Sequence, residues 1–150
     1  MGWNFLETSN QVLGSWGDFR DMKHVLVAED EKYSRLAVSL VLKKTGYRVS
    51  AVENGHEALT AIEANQGSAD RIDVVLTDVQ MPVMSGLELI NELKRRNIRI
   101  PVIILTGNQD EDEIGEMVAG GCCHFIQKPF DPKQLADILA AVLAAPERCA

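Results

Sequence analysis

Three consecutive acidic residues, Glu29, Asp30 and Glu31, directly follow a short apolar segment at residues 25–28. Carboxylates held this close repel one another, so their pKa values rise unless a cation neutralises them. A hard divalent cation such as Mg²⁺ or Mn²⁺ would do so, because these ions prefer carboxylates and other oxygen ligands. Taken alone, a run of acids is more often a solvated loop, but its position after an apolar strand favours a metal site.

Polar residues with complementary chemistry follow three other apolar segments. Asp78 comes after residues 72–77, Thr106 ends residues 102–106, and Lys128 comes after residues 125–127. An aspartate can attack a phosphoryl group, while a lysine and a hydroxyl group stabilise the charge that develops on the phosphoryl oxygens. We expect Asp78 to be the nucleophile, Asp30 and Asp78 to be metal ligands, and Glu29 to act through a bound water.

Alternating apolar segments and helical patterns indicate how these residues are positioned. Strands are predicted at residues 25–28, 48–52, 72–77, 102–106 and 125–127. Each is followed by a helical pattern whose apolar residues are, in order, Tyr33, Leu36, Ala37, Leu40 and Val41; Ala58, Leu59 and Ile62; Leu87, Ile90 and Leu93; Ile114, Met117 and Val118; and Leu135, Ile138, Leu139, Val142 and Leu143. This order predicts an α/β fold with a parallel sheet covered on both faces. Because parallel strands deliver their carboxyl ends to one edge, the polar residues should share a pocket.

Helix ends are marked by three sequence signals. Ser85 with Glu88 forms a predicted capping box, and Asp131 before Pro132 predicts an N-cap with proline at the first helical position. Residues 120–121, a pair of glycines, should end the fourth helix.

Composition narrows the function classes. The chain has 150 residues, 46% of them hydrophobic, with a net charge of −7 and a pI near 4.9. These values fit one globular domain and argue against direct binding to DNA. No apolar run is long enough to span a membrane and no secretory signal is visible, so the sequence indicates a cytoplasmic protein. His24 and His56 are expected at the surface.

Four segments in sequence order carry a family resemblance: VLVAEDE, VVLTDVQMPVMSG, VIILTG and FIQKPF. Together they resemble the receiver domains of response regulators in two-component signalling, over about residues 23–145. The resemblance implies a flavodoxin-like, doubly wound fold with a five-stranded parallel sheet in the order 2-1-3-4-5 and five helices. It also implies a phosphoacceptor signalling domain, with no enzyme activity beyond its own aspartyl phosphorylation and dephosphorylation.

The same resemblance implies roles for individual residues. Asp78 would take its phosphoryl group from a histidine kinase or a histidine phosphotransfer domain. The backbone carbonyl of Gln80 would join Asp30 and Asp78 in holding Mg²⁺, and Lys128 and Thr106 would bind the phosphoryl oxygens.

Further implied features concern switching. Thr106 and Phe125 would form the switch, Gln80 and Asn108 would tune the phosphoryl lifetime, and the bond before Pro129 would be cis. Two residues depart from the commonest family pattern, since Glu29 stands in place of an aspartate and Phe125 in place of a tyrosine. A downstream protein would bind the face formed by the fourth helix, fifth strand and fifth helix, and a homodimer is also compatible with the sequence.

Other readings of the sequence remain open. The chain could be a stand-alone regulator, a receiver fragment of a hybrid histidine kinase, or a scaffold that binds partners without phosphorylation. A phosphatase of the haloacid dehalogenase type would want an aspartate where Gln80 stands, and a nucleotide-binding module would want glycines where Glu29 and Asp30 stand.

The chain ends lie outside the resemblance. Residues 1–22 are interpreted as a flexible leader or linker and residues 146–150 as a tail. Because residues 1–22 contain both tryptophans, Trp3 and Trp16, docking of this segment on a partner or a second copy is the alternative.

Overall fold

The computed structural model describes residues 22–107, 112, 115–116, 119 and 124–146. The strands are β1 (His24–Ala28), β2 (Arg48–Val52), β3 (Val74–Asp78), β4 (Val102–Thr106) and β5 (His124–Gln127). The helices are α1 (Lys32–Thr45), α2 (Gly55–Asn65), α3 (Gly86–Arg95) and α4 (Pro132–Ala144). Thus α4 is the fifth helix predicted from the sequence. Of the predicted fourth helix only Asp112, Gly115, Glu116 and Ala119 are described, and all four are helical.

The five strands form one parallel sheet in the order β2-β1-β3-β4-β5. This confirms the predicted flavodoxin-like α/β fold and its strand order. The third strand starts two residues later than predicted, at Val74. The residue before it, Asp73, accepts from the His24 backbone N–H through its carboxylate at 2.8 Å. The strand also ends one residue later than predicted, so Asp78 is its last residue.

Two apolar layers cover the sheet. On one face α2 and α3 pack against alternate strand residues through Ala58, Leu59, Ile62, Leu89, Ile90 and Leu93. On the other face α1 and α4 pack through Val38, Leu42, Leu135, Leu139 and Val142. The alternation of side chains along each central strand supplies both layers, as expected for a parallel sheet buried on both sides.

The predicted apolar pattern of α1 matches its buried face only in part, since Val41 packs against the core but other predicted residues do not. Tyr33, Leu36 and Leu40 are each more than half exposed, whereas Val38 and Leu42 are buried. Residues 36–42 are apolar on every side apart from Ser39, so periodicity could not select the face that meets the sheet.

His24 also departs from expectation, because it is buried instead of exposed. Its Nδ1 lies 2.9 Å from the Asp70 carbonyl oxygen and its Nε2 lies 2.7 Å from the Ser50 hydroxyl. The carbonyl can only accept, so Nδ1 carries a hydrogen, and Nε2 shares a hydrogen bond with the Ser50 hydroxyl. A polar ring is tolerated in the interior because both nitrogens are satisfied.

Helix capping follows the sequence signals where these residues are described. The Ser85 side chain accepts from the Glu88 N–H at 3.2 Å, and Asp131 accepts from the Lys133 N–H at 3.0 Å. The predicted glycine stop of the fourth helix lies outside the described residues. No helix in the described ranges is long and apolar enough to cross a membrane.

Candidate functional site

Three carboxylates converge at the carboxyl edge of the sheet. Glu29 and Asp30 follow β1, and Asp78 ends the neighbouring strand β3, where Ala28 pairs with Thr77. One carboxylate oxygen from each of the three lies within 4.8 Å of the others. Adjacent parallel strands therefore bring residues almost fifty positions apart into one acidic cluster, as the sequence predicted.

Lys128 lies against this cluster from β5's carboxyl end. Its Nζ is 3.2 Å from Asp78 Oδ2 and 3.3 and 3.2 Å from the two Glu29 carboxylate oxygens. Burial acts to lower the pKa of Lys128, but the negative charges of Asp78 and Glu29 outweigh it and the pKa is raised. The ammonium group therefore stays charged and bridges the two acids.

Glu29 is the most enclosed member of the cluster, with only 1% of its surface exposed. Burial and, to a smaller extent, the neighbouring Asp78 raise its pKa while Lys128 lowers it, and the net result is a pKa of about 7. Near neutral pH this carboxyl is therefore poised between its protonated and charged forms.

Asp78 is oriented by its own backbone surroundings. Its Oδ1 accepts from the Val79 N–H at 2.8 Å while Oδ2 faces Lys128. The Val79 carbonyl in turn accepts from the Gly86 N–H at 3.0 Å, which ties the segment after β3 to the start of α3. The Asp78 carboxylate is thus held in one orientation, with Oδ1 bound to a backbone N–H and Oδ2 bound to an ammonium group.

Thr106 ends β4, the strand beside β3, and is buried. Its hydroxyl donates to the Gly107 carbonyl oxygen at 2.7 Å, and its own carbonyl accepts from the Lys128 N–H at 2.7 Å. Backbone hydrogen bonding therefore fixes the lysine to the strand that carries the threonine.

Comparison with known proteins decides the family. A model of the response regulator receiver domain matches residues 25–140. The chain belongs to this family.

Individual relatives agree with that assignment. The rice two-component response regulator ORR5 is 31% identical over 122 residues, which are 80% of this chain and 88% of the rice protein. The solved structure of the Vibrio cholerae chemotaxis protein CheY4 is 31% identical, with a TM-score of 0.72 over 81% of this chain and 98% of that one. A cyclic di-GMP phosphodiesterase of Thermotoga maritima is 35% identical over 107 residues, 71% of this chain but only 27% of that larger protein.

The acidic cluster of this receiver domain fits a divalent cation. Its donors are carboxylate oxygens from Glu29, Asp30 and Asp78, the hard ligands that Mg²⁺ and Mn²⁺ prefer. Receiver domains bind Mg²⁺ in an acidic pocket of this kind. Asp30 is exposed, so the cluster is open to solvent on one side and leaves room for waters or phosphoryl oxygens.

The remaining predicted site residues lie around the pocket or outside the described ranges. Gln80 is exposed in the loop after β3, and Phe125 on β5 is about half exposed. The bond between Lys128 and Pro129 is cis, as the resemblance implies. Asn108 lies outside the described residues.

Arg35 was missed by sequence reasoning although its side chain reaches the acidic loop. Its Nη1 donates to the carbonyl oxygens of Glu29 at 2.9 Å and Asp30 at 3.3 Å. The sequence signal was an arginine in the first turn of the helix, next to its apolar segment, and such a residue is more often solvated.

Proposed function

We propose that this receiver domain is a phosphoacceptor in a two-component or phosphorelay system. In the proposed reaction a carboxylate oxygen of Asp78 attacks the phosphorus of a phosphohistidine on a partner protein. A P–O bond forms as the P–N bond breaks, and the leaving imidazole keeps the electron pair and takes a proton from solvent. The product is an aspartyl phosphate.

The surrounding residues would stabilise the charge that builds up on the transferred group. Lys128 is close enough to Asp78 to pair with a phosphoryl oxygen attached there, and Thr106 would donate a second hydrogen bond once its hydroxyl leaves Gly107. A bound Mg²⁺ or Mn²⁺ would neutralise phosphoryl oxygens and would be held by Asp30, Asp78, the Gln80 carbonyl and, through water, Glu29. Lys128 must release Glu29 as it turns toward the phosphoryl group.

One observation carries this proposal: the Lys128 amine lies 3.2 Å from Asp78 within a cluster of three carboxylates at the ends of adjacent strands. A scaffold that binds partners without phosphorylation gains nothing from this convergence, because burying Glu29 with its raised pKa costs stability. A phosphatase of the haloacid dehalogenase type is disfavoured because Gln80 stands where that chemistry needs a second acid.

Phosphorylation would be communicated through Thr106 and Phe125. Movement of Thr106 toward the phosphoryl group frees space beside β5, and the half-exposed Phe125 ring can then turn inward. Because β5 is the edge strand, this change alters the face formed by the predicted fourth helix, β5 and α4, where a downstream partner would bind. Gln80 and Asn108 are proposed to set how fast water removes the phosphoryl group.

The phosphodonor would dock against α1. Three apolar side chains, Tyr33, Leu36 and Leu40, are exposed along this helix, which begins directly after the acidic loop. A helical protein that carries phosphohistidine could pack on this stripe and bring its imidazole to Asp78. Burial of the three side chains would supply the binding free energy that the open acidic pocket lacks.

The test is incubation with acetyl phosphate and Mg²⁺, followed by intact mass measurement. We expect one added phosphoryl group, which requires the metal and is absent from the Asp78→Asn variant. As a matched control, Asp137→Asn changes an exposed aspartate on α4 and should retain full labelling. Phosphorylation that persists in Asp78→Asn would place the acceptor elsewhere and overturn the proposal.

A further inference from the structure

The acidic loop between β1 and α1 is held by one arginine side chain. The Arg35 Nη1 group donates to the carbonyl oxygens of Glu29 and Asp30, at 2.9 and 3.3 Å. Its Nη2 lies 3.5 Å from Glu53 Oε1, in the loop after β2. The guanidinium therefore joins two loops at the carboxyl edge of the sheet.

These two carbonyls need a partner because the chain has left the sheet. Glu29 still donates its N–H to the Val52 carbonyl at 3.0 Å, which is the last backbone bond joining the loop to β2. Glu31 is the N-cap of α1, and its side chain accepts from the Ser34 N–H at 2.6 Å. Between the Glu29 N–H bond and the Glu31 cap, Arg35 supplies the hydrogen-bond donors for the carbonyls of Glu29 and Asp30. The backbone of the acidic loop is therefore held in one conformation.

Arg35 is itself fixed by its place in α1. Its N–H donates to the Glu31 carbonyl at 2.9 Å, and its carbonyl accepts from the Ser39 hydroxyl at 2.7 Å. Only 19% of the side chain is exposed. A planar guanidinium held at its base can direct several N–H groups at once, which the single ammonium of a lysine does less well.

We propose that Arg35 is a positioning residue of the cation site. It acts through the backbone of Glu29 and Asp30: by holding their carbonyls it sets the direction in which their carboxylates face Asp78. Residues that orient metal ligands typically change metal affinity by about 10-fold to 100-fold when they are removed. The inference rests on the proposed function in one respect, namely that the cluster binds a divalent cation.

The positive charge of Arg35 predicts the opposite effect on Mg²⁺ affinity. Whether affinity falls or rises when the side chain is removed therefore decides between positioning and charge. A positive group beside the cluster repels Mg²⁺, and its removal by charge alone would tighten metal binding. If positioning dominates, removal of the side chain weakens binding instead. Arg35→Lys separates the two effects because it keeps the charge and loses the planar fork.

The chain offers a matched control at the opposite edge of the sheet. Arg48 is also mostly buried, with 13% of its side chain exposed, and it likewise joins a carbonyl, that of Ala69 at 3.2 Å, to an acid, Asp70. Arg48→Ala should therefore cost similar stability without touching the acidic loop.

The experiment is titration calorimetry of the full chain with Mg²⁺ alone, with urea unfolding in EDTA measured in parallel. We expect Arg35→Ala to weaken Mg²⁺ binding about tenfold or more, Arg35→Lys to weaken it as well because it keeps the repelling charge and loses the planar fork, and Arg48→Ala to leave it unchanged. If Arg35→Ala does not fold, the lysine variant carries the test, and affinity equal to the parent protein would overturn the inference.

Other outcomes are equally informative. Tighter binding by Arg35→Ala would mean that its charge matters and its hydrogen bonds do not. A parallel loss of affinity in Arg48→Ala would mean that general destabilisation is responsible. If the parent chain itself binds no Mg²⁺, the proposed function fails first, which separates the two conclusions.

Discussion

At the scale of single residues, Glu29 is where the site departs most from what an acidic run suggests. It is buried between Asp78 and Lys128, and its longer side chain lets it reach both. A carboxyl in this position is sensitive to pH near neutrality. Its titration should therefore be visible in the stability of the whole domain.

We predict that Glu29→Gln becomes progressively more stable than the parent protein as pH rises from about 5 to about 7 without metal. The folded-state pKa of Glu29 is raised from 4.5 to about 7, so over that window the folded protein holds a proton that the unfolded chain releases. The contribution of Glu29 to the free energy of unfolding is fully present below pH 4.5, the unfolded-state pKa, and it is lost as pH rises to the folded-state pKa of about 7. The variant has no such loss, so the difference should grow by up to about 1.4 kcal/mol for each pH unit.

The measurement is urea unfolding in EDTA at four or five pH values for both proteins. The difference in unfolding free energy should level off above pH 7, where Glu29 is ionised in both states. A difference that does not vary with pH would show that Glu29 titrates normally.

Val83 illustrates a second residue-scale feature, strain in the loop after Asp78. Its φ is 66°, a left-handed conformation that is unfavourable for a β-branched residue, and 78% of its surface is exposed. Because the side chain contributes little burial, Val83→Asn should relieve the strain and stabilise the protein by about 1 kcal/mol. Asn97, with φ of 56°, offers the reverse substitution as a control. Thermal unfolding should show that Asn97→Val loses stability by a similar amount. The prediction requires that Val83→Asn raises the unfolding temperature and Asn97→Val lowers it.

At the scale of elements, α1 combines two roles on different faces. Val38 and Leu42 pack on the sheet, Arg35 reaches back to the acidic loop, and Leu36 and Leu40 face solvent. The buried face fixes the helix, so changes on the exposed face should not disturb the pocket.

We therefore predict that the double variant Leu36→Ser and Leu40→Ser slows phosphoryl transfer from a phosphohistidine protein about tenfold or more, because losing the burial of two leucine side chains costs about 1–2 kcal/mol or more. Its labelling by acetyl phosphate should equal that of the parent protein, since a small donor needs no docking surface. The two rates are measured in parallel with radiolabelled donors. Equal slowing with both donors would indicate damage to the pocket instead of lost docking.

At the scale of the whole molecule, cation binding should stabilise the fold. The proposed ligands lie at the carboxyl ends of β1 and β3, which are adjacent strands, so the cation should bind the folded state only. Mg²⁺ at 100 times its dissociation constant should add about 2.7 kcal/mol to the free energy of unfolding. Affinity should increase as pH rises through about 7, where Glu29 loses its proton.

Asp30→Asn should abolish this stabilisation, and Asp137→Asn should keep it. The readout is the midpoint of thermal unfolding as a function of Mg²⁺ concentration. Metal-dependent stabilisation that survives in Asp30→Asn would mean that the cation binds outside the acidic cluster.

The sequence alone determined the fold and the composition of the pocket. Apolar segments separated by helical patterns specify parallel strands, and parallel strands place Asp30, Asp78, Thr106 and Lys128 at one edge whatever the detailed packing. The caps at Ser85 and Asp131 were readable because they depend only on nearby backbone. Such features are local or follow from topology.

Only the tertiary structure decided which side of α1 is buried, where His24 lies and what holds the acidic loop. The apolar residues of α1 surround the helix, so the choice of face depends on how α4 and the sheet meet it. His24 is tolerated inside because Asp70 and Ser50, distant in sequence, satisfy its ring. The contact of Arg35 with Glu29 and Asp30 depends on where a flexible side chain packs. Periodicity and spacing cannot supply that information, because it arises from partners that only folding brings together.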